Sequence, residues 1–304
     1  MSAPHLDGVF PPVPTPFTPD ESIDTPALAH NLRALLAAPI RGVVVLGSNG
    51  EAPLVGDDDS VRVLAAAREA VPRDRVFIAG TGRESTRETV LFTRRAADAG
   101  ADAAVVRTPS FFKAPLTAEA FVAHYTRVAD ASPIPILLYN VTMFTGVNLQ
   151  PEVVERLALH PNIVGMKESG SDLAAIADLV NRTPAGFAVL AGSATTFVHA
   201  LCAGCDGGVL ALASLVPAAC VRLQTLVAEC RLAEARALQA RLLPLARLVG
   251  AGGGVTALKA AMNHLGYEGG VPRAPLPPAT PELVRALTRE LDALRQRDPE
   301  AVGS

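Results

Sequence analysis

Tryptophan is absent from this chain of 304 residues, and aromatic residues of every kind make up only 4 % of it. Its four cysteines, Cys202, Cys205, Cys220 and Cys230, are too few and too unevenly spaced for a disulfide framework in a chain this long. Cys202 and Cys205 form a C-x-x-C, but no histidine completes a zinc pattern. The pair reads as small apolar residues on a helix rather than as a metal or redox site. No stretch reaches the roughly 18 uninterrupted apolar residues that a membrane helix needs, and the first residues lack a basic segment followed by an apolar run. A cytoplasmic protein without a membrane partner is the expectation. Charge is sparse, with 19 % charged residues, a formal net charge of -3 and the signs interspersed. That excludes a nucleic-acid surface or an acidic tail as the organising feature.

What the chain has in quantity is apolar residues, at 49 %, arranged in short runs that alternate with amphipathic segments. Strands are predicted at Gly8–Val13, Gly42–Leu46, Val76–Gly80, Ala103–Val106, Ile134–Tyr139, Ile163–Lys167, Ala188–Ala191 and Gly208–Leu212. Helical patterns separate them, several with start signals: Ser85 and Thr117 at N-cap positions, Pro151 in a first turn. Eight such units of about 25 to 35 residues fit an α/β fold of the closed (β/α)8 TIM-barrel type better than an open doubly wound sheet. The expected division is a barrel over 1–225 and a C-terminal helical segment over 226–304 packed on it. Helices are predicted there at Leu226–Leu248, Thr256–Leu265 and Pro281–Arg295, the last with Thr280 as N-cap. The Gly250–Gly254 run has no preceding strand, so it reads as a helix connector and not as a phosphate loop.

In such a barrel the chemistry gathers at the C-terminal ends of the strands. Lys167, one of only three lysines in the chain, ends the sixth strand among apolar neighbours. Loss of hydration there frees its lone pair for attack on a carbonyl, although a stem that packs while the ammonium reaches water is the competing reading. The other strand ends add Gly47-Ser-Asn-Gly-Glu51, Gly80-Thr-Gly82, Arg107-Thr-Pro109, Tyr139-Asn140 and Gly192-Ser193. This convergence favours a catalytic Lys167. An imine between Lys167 and a 2-oxo acid would act as an electron sink for breaking the bond between the third and fourth carbons. Tyr139 can shuttle the proton, since a phenol both donates and accepts, unless it is only a core aromatic. Gly47 and Gly50 would let the backbone around Ser48 and Asn49 approach a carboxylate, with a plain turn as the alternative.

The stretches Gly47-Ser-Asn-Gly-Glu51, Tyr139-Asn140-Val141 with Thr145-Gly146, and Gly165-Met-Lys-Glu-Ser169 resemble the signatures of the dihydrodipicolinate synthase and N-acetylneuraminate lyase family of class I pyruvate aldolases. Within that family, His160-Pro-Asn-Ile-Val-Gly-Met-Lys167 and Val189-Leu-Ala-Gly-Ser193 are most similar to the 4-hydroxy-2-oxoglutarate aldolases. The resemblance spans nearly the whole chain and implies a Schiff base on Lys167, a proton shuttle at Tyr139 and a relay hydroxyl at Ser48. It further implies a carboxylate held by Ser48 and Asn49, a pocket lined by Ser169 and Gly192, neither metal nor cofactor, and a homotetramer of two tight dimers.

The chain departs from the family pattern in two places. Phe111 and Phe112 stand where family members commonly carry a tyrosine pair, one of which reaches into the neighbouring subunit's site. Phe144 stands where the dihydrodipicolinate synthases place an arginine that holds the second substrate's carboxylate. The expected activity is therefore cleavage of 4-hydroxy-2-oxoglutarate or a similar 2-oxo acid to pyruvate and an aldehyde such as glyoxylate. A 2-keto-3-deoxy sugar-acid aldolase or dehydratase comes second, dihydrodipicolinate synthase third, and a non-catalytic pyruvate-binding barrel last. A distal carboxylate needs another cation, for which Arg107 and Arg83 at strand ends are the candidates, with solvated or ion-paired arginines as the alternative.

Overall fold

Short apolar segments such as Val76-Phe-Ile-Ala-Gly80 are buried almost throughout, which requires cover on both faces and so a parallel sheet wrapped by helices. The computed structural model describes residues 4–250 and 253–298. Its strands are β1 (Gly8–Phe10), β2 (Gly42–Val45), β3 (Val76–Gly80), β4 (Ala103–Arg107), β5 (Ile136–Asn140), β6 (Ile163–Glu168), β7 (Ala188–Ala191) and β8 (Gly207–Val209). All neighbours pair in parallel in the order β1-β8-β7-β6-β5-β4-β3-β2. The circle closes where Val13 N donates to Val44 O at 2.8 Å and Val44 N to Pro11 O at 3.0 Å. This is the expected (β/α)8 barrel, with additional helices at the C-terminal end.

Four strands are shorter at one end than the sequence suggests: β2 stops at Val45, before the left-handed Leu46, and β8 stops at Val209, before the 3-10 turn Ala211–Ser214, while in β1 and β5 proline is the reason. Pro11 and Pro12 have no N–H to give the ladder, so β1 stops at Phe10 and only an isolated Pro12–Val44 bridge follows. Pro135 likewise moves the start of β5 to Ile136. Along the strands alternate side chains face opposite ways. Phe10, Val44, Ile78, Leu137 and Leu190 fill the barrel interior, while Val43, Phe77, Val106, Leu138 and Val189 pack outward under the helices. A fully buried side chain such as Phe77 contributes about 2–3 kcal/mol by removing apolar area from water.

The barrel helices are α1 (Thr25–Leu36), α2 (Asp57–Ala70), α3 (Thr86–Asp98), α4 (Ala118–Ala131), the single turn α5 (Thr142–Thr145), α6 (Pro151–Leu157), α7 (Leu173–Arg182), α8 (Phe197–Cys202) and α9 (Pro217–Ala228). Ser85 Oγ and Thr117 Oγ1 accept from the backbone N–H groups of Glu88 and Ala120, so both expected caps are made. The turn α5 carries no strong sequence signal and ends on Gly146, whose φ of 61° a side chain would resist.

The helix expected at Leu226–Leu248 is two helices. The chain reverses at Cys230, whose φ is 57°, and α10 begins at Leu232 and runs to Val249. Helices α11 (Gly254–His264) and α12 (Pro281–Arg297) follow, the latter capped by Thr280. Of the Gly250–Gly254 connector, Ala251 and Gly252 lie outside the described residues. Helix α10 packs on the 3-10 turns Ala194–Thr196 and Ala211–Ser214 that follow β7 and β8. The appended helices thus reach the barrel mouth. Among the described residues no helix is long and apolar enough to cross a membrane.

Candidate active site

Strand register sets the first contact of the site. Tyr139 of β5 and Lys167 of β6 are direct partners, so their side chains leave the sheet on the same face and side by side. Lys167 is only 7 % exposed. Its Nζ donates to the Tyr139 hydroxyl at 3.2 Å and lies 4.3 Å from the centre of that ring. The same hydroxyl is 3.1 Å from Ser48 Oγ. A primary amine, a phenol and an alcohol are therefore joined in one chain of hydrogen bonds. They line a cavity of about 710 Å³ at the barrel mouth, together with Asn49, Ser169 and Gly192.

The turn carrying Ser48 and Asn49 achieves its shape in a way the sequence did not suggest. Gly47 and Gly50 are not its left-handed residues; Leu46, with φ 56°, and Glu51, with φ 55°, are. Gly50 is needed for space, because a Cβ there would lie 2.9 Å from Leu46 N. The turn is held by Glu51 N donating to Ser48 O at 3.1 Å and by Thr15 Oγ1 donating to Gly50 O at 2.7 Å. On the far side, Ser169 and Gly192 are pressed together. A Cβ on Gly192 would fall 2.2 Å from Ser169 Oγ, a true collision.

Two polar residues of this region were not singled out from the sequence. Asn140 Nδ2 donates to Glu168 Oε2 at 2.8 Å and to Asn148 Oδ1 at 2.7 Å, and Gly170 N donates to Glu168 Oε1. Glu168 and Asn148 line the cavity. Burial pushes the Glu168 carboxyl above its ordinary range, against the opposing effect of the Asn140 and Gly170 hydrogen bonds. The Tyr139-Asn140 and Lys167-Glu-Ser169 segments contained both residues, but only the folded register shows that they meet.

The candidates for the distal cation lie elsewhere. Arg107 is the register partner of Tyr139, yet its guanidinium turns away to Glu84, with Nη1 at 2.7 Å from Oε1. Burial alone would raise Glu84, but N–H donors from Ser110 and Phe111, with Arg107, hold it below its usual range. Arg83 pairs with Asp57 at 3.1 Å and stacks 3.8 Å over Phe92. Neither arginine is among the cavity's lining residues. Arg247, from the last turn of α10, is. No local signal marks Arg247 in the sequence, where it is one charged residue on an amphipathic helix. Phe144 also lines the cavity, while Phe111 and Phe112 stand out from the surface at 77 % and 73 % exposure with their rings edge to face. Among the described residues no group of three His, Cys, Asp or Glu side chains is disposed to hold a metal ion.

A (β/α)8 barrel with a buried amine beside a phenol at its C-terminal mouth has the frame of a Schiff-base lyase. The sequence profile of the Dihydrodipicolinate synthetase family matches residues 5–294, and the chain belongs to that family of carbon–carbon lyases. A 4-hydroxy-tetrahydrodipicolinate synthase of Exiguobacterium sp. is 36 % identical over 271 residues, covering 89 % of this chain and 92 % of that one. The structure of the 4-hydroxy-tetrahydrodipicolinate synthase from Methylacidiphilum fumariolicum SolV superposes with a TM-score of 0.92 at 28 % identity, over 98 % of each chain. A prophage protein of the dihydrodipicolinic acid synthase family from E. coli K12, solved in complex with pyruvate, gives a TM-score of 0.89 at 27 % identity. It covers 95 % of this chain and 99 % of that one.

Proposed function

We propose that this protein is a class I aldolase that forms an imine between Lys167 and a 2-oxo acid, and that it cleaves 4-hydroxy-2-oxoglutarate or a close relative to pyruvate and an aldehyde such as glyoxylate. The observation that carries the reading is the hydrogen-bonded chain from the buried Lys167 Nζ through the Tyr139 hydroxyl to Ser48 Oγ. The Lys167 amine attacks the C2 carbonyl, and loss of water leaves a protonated imine. Tyr139 takes the proton of the C4 hydroxyl, relayed to Ser48, as the C3–C4 bond breaks. The aldehyde leaves, and the bond's electron pair passes into the imine to give an enamine. Reprotonation at C3 and addition of water then return pyruvate and free amine. Ser48 and Asn49 hold the C1 carboxylate, while Ser169 and Gly192 shape the opposite wall.

The names of the relatives favour a second reading, synthesis of 4-hydroxy-tetrahydrodipicolinate, in which the same enamine attacks an incoming aldehyde. Against it, Phe144, which lines the cavity, stands where the resemblance puts the synthases' arginine. A 2-keto-3-deoxy sugar acid is the other substrate that an apolar Phe144 would suit. Comparison of kcat/KM for 4-hydroxy-2-oxoglutarate, for a 2-keto-3-deoxy sugar acid, and for pyruvate with aspartate semialdehyde separates the three. The proposal expects the first to lead; a lead for the semialdehyde reaction would replace it with the synthase. The homotetramer of two tight dimers belongs to the same proposal, and sedimentation of the purified protein tests it.

A further inference from the structure

We infer that Arg247 receives a second, distal anionic group of the substrate, so that the site selects 2-oxo dicarboxylates over 2-oxo monocarboxylates. The inference rests on the imine-forming reading of Lys167 and names the substrate class of that same site.

The charges lining the cavity are few, and all but one are accounted for. Its carboxylates are Glu168 and Asp172. Glu168 accepts from Asn140 and Gly170, and Asp172 accepts from the N–H groups of Ala174 and Ala175 at the start of α7. Its cations are Lys167 and Arg247. Lys167 is engaged with Tyr139. Arg247 is exposed and makes no hydrogen bond or ion pair with any described residue. Arg83 and Arg107, which are nearest in sequence to the strand ends, are held by Asp57 and Glu84.

Position agrees with charge. Arg247 overhangs the mouth from α10, whose contacts with the 3-10 turns after β7 and β8 fix it above the strand ends that carry Gly192 and Val209. Met143 and Phe144, apolar and lining the same cavity, offer a carboxylate nothing. A cavity of about 710 Å³ leaves ample room beyond a pyruvyl unit on Lys167. A guanidinium is the side chain best suited to a second carboxylate, because its planar fork donates two parallel hydrogen bonds. Since Arg247 is open to solvent, its attraction should weaken as salt rises.

The test is borohydride trapping on Lys167 at graded concentrations of 2-oxoglutarate and of 2-oxopentanoate, which has the same chain length and no distal carboxylate. The wild type is expected to half-saturate at a lower concentration of 2-oxoglutarate. In Arg247→Ala that preference should shrink about tenfold or more, the usual value of a charge-assisted pair, and Arg247→Lys should keep part of it. A wild type without preference, or a preference intact in Arg247→Ala, overturns the inference. If no 2-oxo acid is trapped on the wild type, it is the imine reading that fails. Equilibrium binding of 2-oxoglutarate to the Lys167→Ala protein, with and without Arg247→Ala, then still decides the role of Arg247: equal affinities reject it, and weaker binding in the double variant sustains it.

Discussion

Lys259 Nζ lies 2.5 Å from Glu51 Oε1 in an ion pair whose side chains are 2 % and 0 % exposed. Lys259 belongs to α11, and Glu51 closes the turn that carries Ser48 and Asn49. Arg273 N donates to the other oxygen of Glu51 at 2.9 Å, and Phe17 has Lys259 and Arg273 each 4.3 Å from its ring centre. Burial pushes the Lys259 ammonium below its ordinary value, an effect that Glu51 opposes. The appended helices therefore anchor the turn that lines the cavity at the barrel mouth, not only the outside of the barrel.

Glu51→Ala leaves Lys259 buried without its partner, and the expected loss is about 3–5 kcal/mol of stability. Urea unfolding measures it. The double variant Glu51→Gln with Lys259→Met should recover a large part of that loss, because no unpaired charge remains. A double variant as unstable as Glu51→Ala would show that the turn's hydrogen bonds, not the charge, are what matters.

Tyr139→Phe keeps the ring beneath Lys167 and removes the hydroxyl that joins Lys167 to Ser48. Turnover of 4-hydroxy-2-oxoglutarate should fall by about 10²- to 10⁴-fold, the range for a lost acid–base group. Pyruvate should still be trapped on Lys167, more slowly. A small loss of turnover would assign proton transfer to another group.

Gly192→Ala drives a methyl group into Ser169, with its Cβ 2.2 Å from Oγ before relaxation. The expected result is a raised KM for the 2-oxo acid, read from steady-state kinetics, with a loss of stability of about 1–3 kcal/mol typical of overpacking. An unchanged KM would remove Ser169 from the substrate wall.

Acid should weaken the fold through His124. This side chain is buried on α4, its Nδ1 is 2.9 Å from Thr86 Oγ1, and burial depresses its pKa to about 4, with Glu84 opposing. A histidine depressed in the folded state is neutral there while the unfolded chain takes up its proton, so stability is lost as pH falls from about 6.5 toward 4. The loss through this group is about 3 kcal/mol. In His124→Gln the stability measured by urea unfolding should vary less over that window. An unchanged slope would place the acid sensitivity elsewhere.

Much of the frame was legible because its causes are local. A run such as Val76-Phe-Ile-Ala-Gly80 needs two covered faces whatever surrounds it, and eight such runs separated by amphipathic segments leave few topologies. Lys167 could be singled out because an amine is a rare and costly passenger in an apolar strand. Long-range relations were not legible. The conformations of Leu46 and Glu51 come from packing of the turn against Thr15 and the appended helices, so glycine was a misleading guide there. Arg107 shares a register row with Tyr139 and still leaves the site, because Glu84 captures it from the loop after β3. Arg247 reaches the mouth only through the docking of α10, which no pattern within its own helix encodes.

Mass spectrometry of the protein after borohydride reduction with pyruvate, beside a Lys167→Ala control, tests the central claim most directly. The account predicts one pyruvyl adduct per chain, mapped to the peptide that contains Lys167 and missing from the control. An unmodified wild type, or an adduct that persists in Lys167→Ala, would contradict it.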